Sequence, residues 1–190
     1  MRGKYIENVT ILTQMMLPQF VKPGYRCIDA TTGNGHDTLF LSELVGTEGF
    51  VYGFDIQQLA IESTKEKLKE RENFQLICDG HEHMGKYVLE PVDFVIFNLG
   101  YLPRADKNIK THKTTTLLAI EAALRLLKCH GILWVVVYPG HEEGAEESQA
   151  LKEYFALLEQ KKYSVMTSKF VNQRNNPPYV IVIEKKITNE

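Results

Sequence analysis

The chain alternates short apolar runs with longer stretches in which apolar positions recur every three or four residues, the pattern of strands interleaved with amphipathic helices. The first amphipathic stretch, 6–20, carries an apolar stripe at Ile6, Val9, Leu12, Met15 and Met16 and stops at Lys22-Pro23-Gly24. Strands are predicted over 25–30, 49–55, 74–78, 92–98 and 131–138, and helices over 37–45, 57–70, 113–128 and 145–160. The last third breaks this alternation. Two β-rich runs, 163–171 and 178–184, are joined only by Asn172-Gln173-Arg174-Asn175-Asn176-Pro177, too short for a helical crossover, so these two strands run antiparallel. The pattern predicts an α/β fold with a seven-stranded, mostly parallel sheet and a C-terminal antiparallel hairpin, in one domain over 1–190.

Composition narrows the function classes. With 22 basic and 24 acidic residues the net charge is -2, so any nucleic-acid contact must come from a local patch. The three cysteines, Cys27, Cys78 and Cys129, are widely spaced in or beside apolar runs; they read as small core residues, without the spacing of a zinc site or a disulfide framework. No metal is expected at His81-Glu82-His83, where no third ligand stands nearby. No apolar run is long enough to span a bilayer and the first residues lack a signal layout, so no membrane partner and a cytoplasmic location are expected. The apolar stripe of the lead helix suits packing on its own sheet, and a homodimer through it is the alternative.

The densest chemistry lies in Cys27-Ile28-Asp29-Ala30-Thr31-Thr32-Gly33-Asn34-Gly35-His36-Asp37-Thr38, a strand end running through a glycine turn into a helix, followed by Asp55 at the end of the next strand. Glycines at 33 and 35 allow backbone to pass close to a ligand, and the helix start near Asn34 offers free N–H groups. A carboxylate at 55 can accept both hydroxyls of a ribose. A dinucleotide fingerprint would place Gly or Ala where Thr38 stands, and Asp29 would repel a pyrophosphate. The same acid suits a cationic cofactor, and S-adenosylmethionine carries both a sulfonium and an ammonium.

In open α/β sheets ligands bind beyond the carboxyl ends of the strands. There, Asp79, or the backbone around Gly80 and His81, can face an adenine amine. Asn98-Leu99-Gly100-Tyr101-Leu102-Pro103 ends the fourth strand, and Asn98 and Tyr101 match the first and last positions of the Asn/Asp-Pro-Pro-aromatic tetrad of amino-group methyltransferases. Leu99 and Gly100 replace its prolines, a departure from the pattern of the adenine and cytosine enzymes that leaves their substrate open for this chain.

Together with Asp55-Ile56-Gln57, Tyr138-Pro139-Gly140-His141 and Asn172 to Pro178, these motifs resemble, over nearly the whole chain, the rRNA methylase family of class I S-adenosylmethionine-dependent methyltransferases. The resemblance implies a three-layer, Rossmann-like methyltransferase fold. It implies S-adenosylmethionine as cofactor, held by Asn34, Gly35 and Asp37 at the turn, Asp55 and Gln57 on the ribose side, and Gly80 with His81 by the adenine. The implied activity is methylation of the amine of 5-aminomethyl-uridine at the tRNA wobble position; the family label points instead to rRNA, and a small-molecule acceptor is a further alternative. Asp37 also suits a helix's first turn, where an acid stabilises the macrodipole.

Asn98, Tyr101 and His141 are the candidate acceptor-side residues, with an in-line displacement and no covalent enzyme intermediate. His141 or Asp29 is the candidate to pass the acceptor's proton to water. The segment 104–113 carries Arg104, Lys107, Lys110 and Lys113 against one acid and, with Arg174 in the last turn, is the candidate RNA surface, with the tRNA anticodon region as the expected partner.

Overall fold

The computed structural model describes residues 6–100 and 112–187. Tyr101, Arg104, Lys107 and Lys110 lie outside the described residues.

A seven-stranded sheet is built from β1 (Arg26–Asp29), β2 (Phe50–Asp55), β3 (Phe74–Cys78), β4 (Val92–Asn98), β5 (Leu127–Val137), β6 (Tyr163–Ser168) and β7 (Tyr179–Lys185), in the order β3-β2-β1-β4-β5-β7-β6. β7 alone runs against its neighbours, pairing antiparallel with both β5 and β6. The predicted hairpin is therefore present, and its joining turn reaches the same sheet edge as the carboxyl ends of the parallel strands.

Helices cover both faces. α1 (Val9–Phe20) and α2 (His36–Val45) bury Val9, Leu17, Leu41 and Val45 against Cys27, Val51, Phe94, Ile96 and Trp134. α4 (Met84–Tyr87), α5 (Lys113–Leu126) and α6 (Glu142–Ala156) bury Met84, Ala119, Ile120, Ala123, Leu151 and Phe155 against Ile28, Phe54, Phe97 and Val135. α3 (Gln58–Lys67) packs on β2 and β3 beside α2. Covered on both sides, β4 and β5 are apolar at successive positions instead of alternating. Trp134 donates its indole N–H to Thr13 Oγ1 at 3.1 Å and so ties α1 to the middle of the sheet.

Boundaries shift where side chains cap. α1 starts three residues inside the predicted range because Asn8 Oδ1 accepts from the Ile11 N–H at 2.9 Å. α6 starts at Glu142, earlier than predicted, because His141 Nδ1 accepts from the Gly144 N–H at 3.0 Å. β5 begins at Leu127, inside the predicted helix; Leu127 pairs with Val92 before a break in register that His130 absorbs at φ 62°. The turns 81–83 and 84–87 were not predicted, being too short to show a period. Cys27 is buried as expected, but Cys78 is exposed at the end of β3, a correction to its reading as core. Among the described residues no helix is long and apolar enough to cross a membrane.

Candidate active site

A cavity of about 1370 Å³ opens along the carboxyl edge of the sheet, lined by the ends of β1, β2, β4 and β5, the 81–83 turn, Thr10 and Gln14 of α1, and the turn 173–178. The strand order reverses between β1 and β4, and the glycine turn that follows β1 lines the cavity there.

Gly33 and Gly35 both take positive φ, 52° and 74°, which allows the sharp strand-to-helix turn. A Cβ on Gly35 would come within 2.8 Å of Thr64 Oγ1, so this glycine serves close packing of α3, and it does not line the cavity. Asn34, His36 and Asp37 do line it. Asp55 accepts the Gly33 N–H on Oδ2 and the Gln57 N–H on Oδ1, both at 2.9 Å, which locks its carboxylate in the wall. Each oxygen keeps a further lone pair for a diol. Ile56, 57 % exposed, presents an apolar surface beside it.

Asp29 takes a different place from the one expected. It is 1 % exposed and outside the lining, with Oδ2 accepting from the Thr38 hydroxyl at 2.6 Å and Oδ1 from the Thr31 N–H at 3.1 Å. Burial, and then the charge of Asp37, push its carboxyl up to about 7. It organises the turn from behind. Asp79 likewise faces away from the cavity, accepting from His83 Nδ1 at 2.9 Å, Tyr87 Oη at 2.8 Å and its neighbour Gly80 at 2.7 Å, and these bonds hold it down at about 2. Gly80, His81 and Glu82 remain in the cavity wall. His81 is buried against Phe97, its Nδ1–H donating to the Ala30 carbonyl at 3.1 Å, and desolvation keeps its pKa below the usual histidine value.

At the other end, the Asn98 N–H donates to Thr31 Oγ1 at 2.7 Å, its Nδ2 donates to Asp37 Oδ2 at 2.6 Å, and its Oδ1 accepts from the Tyr138 hydroxyl at 3.1 Å. His141 and Arg174 line the same cavity. Lys113 does not; it pairs with Glu146 at 2.9 Å beside a smaller pocket. Thr10, Gln14, Thr31 and Tyr138 are among the lining residues that the sequence reading did not single out. Tyr138 lay inside a quoted motif, but nothing in its spacing pointed to Asn98.

The chemistry of this wall suits a cationic nucleoside: Asp55 supplies negative charge and is set for a ribose, Ile56 and His81 offer apolar and aromatic surface for a base, and Asp37 adds negative charge at the Asn98 end. The carboxylates beside the turn would repel a pyrophosphate. S-adenosylmethionine, with its two cations, fits this donor set.

The "Putative rRNA methylase" family profile matches residues 51–184. A chloroplastic tRNA (mnm(5)s(2)U34)-methyltransferase of Arabidopsis thaliana is 36 % identical over 193 aligned positions, covering 95 % of this chain and 70 % of the relative. A Clostridium thermocellum structure described as a putative rRNA methylase superposes with TM-score 0.92 at 44 % identity, covering 95 % of this chain and 98 % of the other. SMU.1697c of Streptococcus mutans, described as a "putative methyltransferase" and solved in complex with SAH, superposes with TM-score 0.84 at 41 % identity over 97 % and 99 % of the two chains. The glycine turn with its flanking acids, the β7-reversed sheet and these likenesses agree: the chain belongs to the rRNA methylase family and is an S-adenosylmethionine-dependent methyltransferase of Rossmann-like fold.

Proposed function

We propose that this enzyme, read as one domain, methylates RNA, and within RNA the amine of 5-aminomethyl-uridine at the wobble position of tRNA, bound through the anticodon region. The observation that carries the reading is the similarity over 95 % of the chain to a relative named for the methylated, 2-thiolated form of that nucleoside at tRNA position 34. In this reading Gly33, Asn34, Asp55, Gln57, Gly80 and His81 hold the cofactor, and Gly35, Asp29 and Asp79 support that wall. S-adenosylmethionine supplies an electrophilic methyl when bound. Asn98, Tyr101 and His141 address the acceptor, and Arg174, Lys113 and the basic residues Arg104, Lys107 and Lys110 contact RNA phosphates.

A primary alkylamine is largely protonated at neutral pH and must expose its lone pair before it can react. The partly apolar cavity disfavours the ammonium, and the Asn98 amide, held by Asp37 and Tyr138 and anchored at its main-chain N–H, can orient the neutral amine; positioning then supplies much of the acceleration.

The test uses labelled S-adenosylmethionine with tRNA, and separately rRNA, from cells lacking the gene, followed by digestion and nucleoside identification. Label in methylaminomethyl-uridine is the expected result. Label only in rRNA would favour the second reading, which the family's description supports.

A further inference from the structure

We propose that the Asp37 carboxylate is the base that takes the proton of the acceptor ammonium, with Asn98 and Tyr138 as the positioning residues that hold it; this rests on the alkylamine acceptor proposed above.

Asp37 stands in the first turn of α2 and Asn98 at the end of β4, and they meet where the strand order reverses. A carboxylate only accepts hydrogen bonds, so it turns the Asn98 amide with Nδ2 toward Asp37, at 2.6 Å, and Oδ1 toward the Tyr138 hydroxyl, at 3.1 Å. Thr10 of α1 stands beside Tyr138 in the lining of the same cavity. Asn98 is thus held on both sides, and a neutral amide oxygen orients an amine but is too weak a base to deprotonate it.

The alternatives are placed less well. Both Asp29 oxygens are engaged behind the wall. His141 lines the cavity but uses Nδ1 to cap α6, with Glu143, a further lining residue, 3.5 Å from that nitrogen. Asp37 lines the cavity and engages Oδ2 with Asn98, while Oδ1 has no hydrogen bond among the described residues. The titratable groups that act on it are Asp29 on β1, His36 on its own helix and Tyr138 after β5, and Asp55, Glu82, His141, Glu143 and Arg174 line the same cavity. Burial raises Asp37 above the ordinary carboxylate range, against the opposing pull of Asn98 and His36, which brings it nearer to an amine in basicity.

In the step itself an N–H bond of the ammonium breaks, its electron pair stays on nitrogen as the lone pair, and the proton bonds to Asp37 Oδ1. The neutral carboxyl later returns the proton to water in the open cavity.

The test compares the full-length wild type with D37N and Y138F. Without cofactor, wild type should bind an anticodon stem-loop carrying 5-aminomethyl-uridine about tenfold or more tighter than the same RNA with uridine, as a charge-assisted bond provides. That preference should be bell-shaped in pH, and D37N should lose it while binding SAH within about threefold of wild type. The D37N turnover should fall about 100-fold at neutral pH and climb with unit slope toward the amine's own pKa, where solvent does the base's work. Y138F should keep the preference and the KM and lose about tenfold in kcat.

A wild-type preference flat in pH, or a D37N variant that keeps it and loses only SAH affinity, overturns the proposal and assigns Asp37 to the cofactor. The wild-type pH series needs no variant and so stands even where D37N does not fold. Wild-type enzyme that leaves the aminomethyl RNA unmethylated overturns the substrate reading instead.

Discussion

Thr38 donates its hydroxyl to the buried carboxylate of Asp29 at 2.6 Å, joining the first turn of α2 to the end of β1. The bond makes the glycine turn a rigid frame whose anchor is an acid shifted toward neutrality. Asp29 titrates at about 7 in the folded chain, against about 4 when unfolded. The folded state therefore holds the proton more tightly, so this group's contribution is full below about pH 4 and is lost as pH rises toward about 7. D29N should flatten that part of the curve of Tm against pH. A variant whose slope between pH 4 and 7 equals that of wild type would remove Asp29 as its cause.

G35A tests the turn's geometry. The residue sits at φ 74° and its new Cβ would meet Thr64 at 2.8 Å from Oγ1 and 2.9 Å from Cγ2. A loss of about 1 to 3 kcal/mol in denaturant unfolding is expected, with weakened SAH binding because Gly33 and Asn34 ride on the same turn.

D55N tests the ribose seat. The change puts an amide N–H against either the Gly33 or the Gln57 N–H, both of which now donate to the carboxylate at 2.9 Å. SAH affinity by calorimetry should fall about 10- to 100-fold, from lost bonds to a charged acceptor. Unaltered affinity would place the ribose elsewhere.

K185M separates stability from function. Lys185, 2 % exposed on β7, donates to the carbonyls of Leu124 at 2.9 Å and Leu127 at 2.7 Å, closing the end of α5 where it runs straight into β5. Removing the ammonium leaves those carbonyls buried without their donor, which should cost roughly 2 to 4 kcal/mol. SAH affinity should stay within about twofold, since the residue lies outside the cavity lining.

Much of the architecture was already present in local pattern. Apolar runs with strand spacing, glycines at 33 and 35, and a joining turn too short for a crossover impose the α/β order and the final hairpin, because period, φ and loop length are properties of neighbouring residues. The acids at strand ends were legible for the same reason, since the carboxyl edge of such a sheet is where ligands gather. What each acid does was not legible. Asp29, Asp37, Asp55 and Asp79 look equivalent in the chain, yet Asp29 is sealed behind the turn, Asp79 is turned toward His83 and Tyr87, and only Asp37 and Asp55 reach the cavity. Tyr138 meets Asn98 across 40 positions, and Thr10 joins them from the lead helix. Sequence by itself determined which elements form and at which edge the chemistry collects. The tertiary structure decided the burial and partners of each carboxylate, because desolvation and hydrogen bonding are set by residues distant in the chain that only packing brings together.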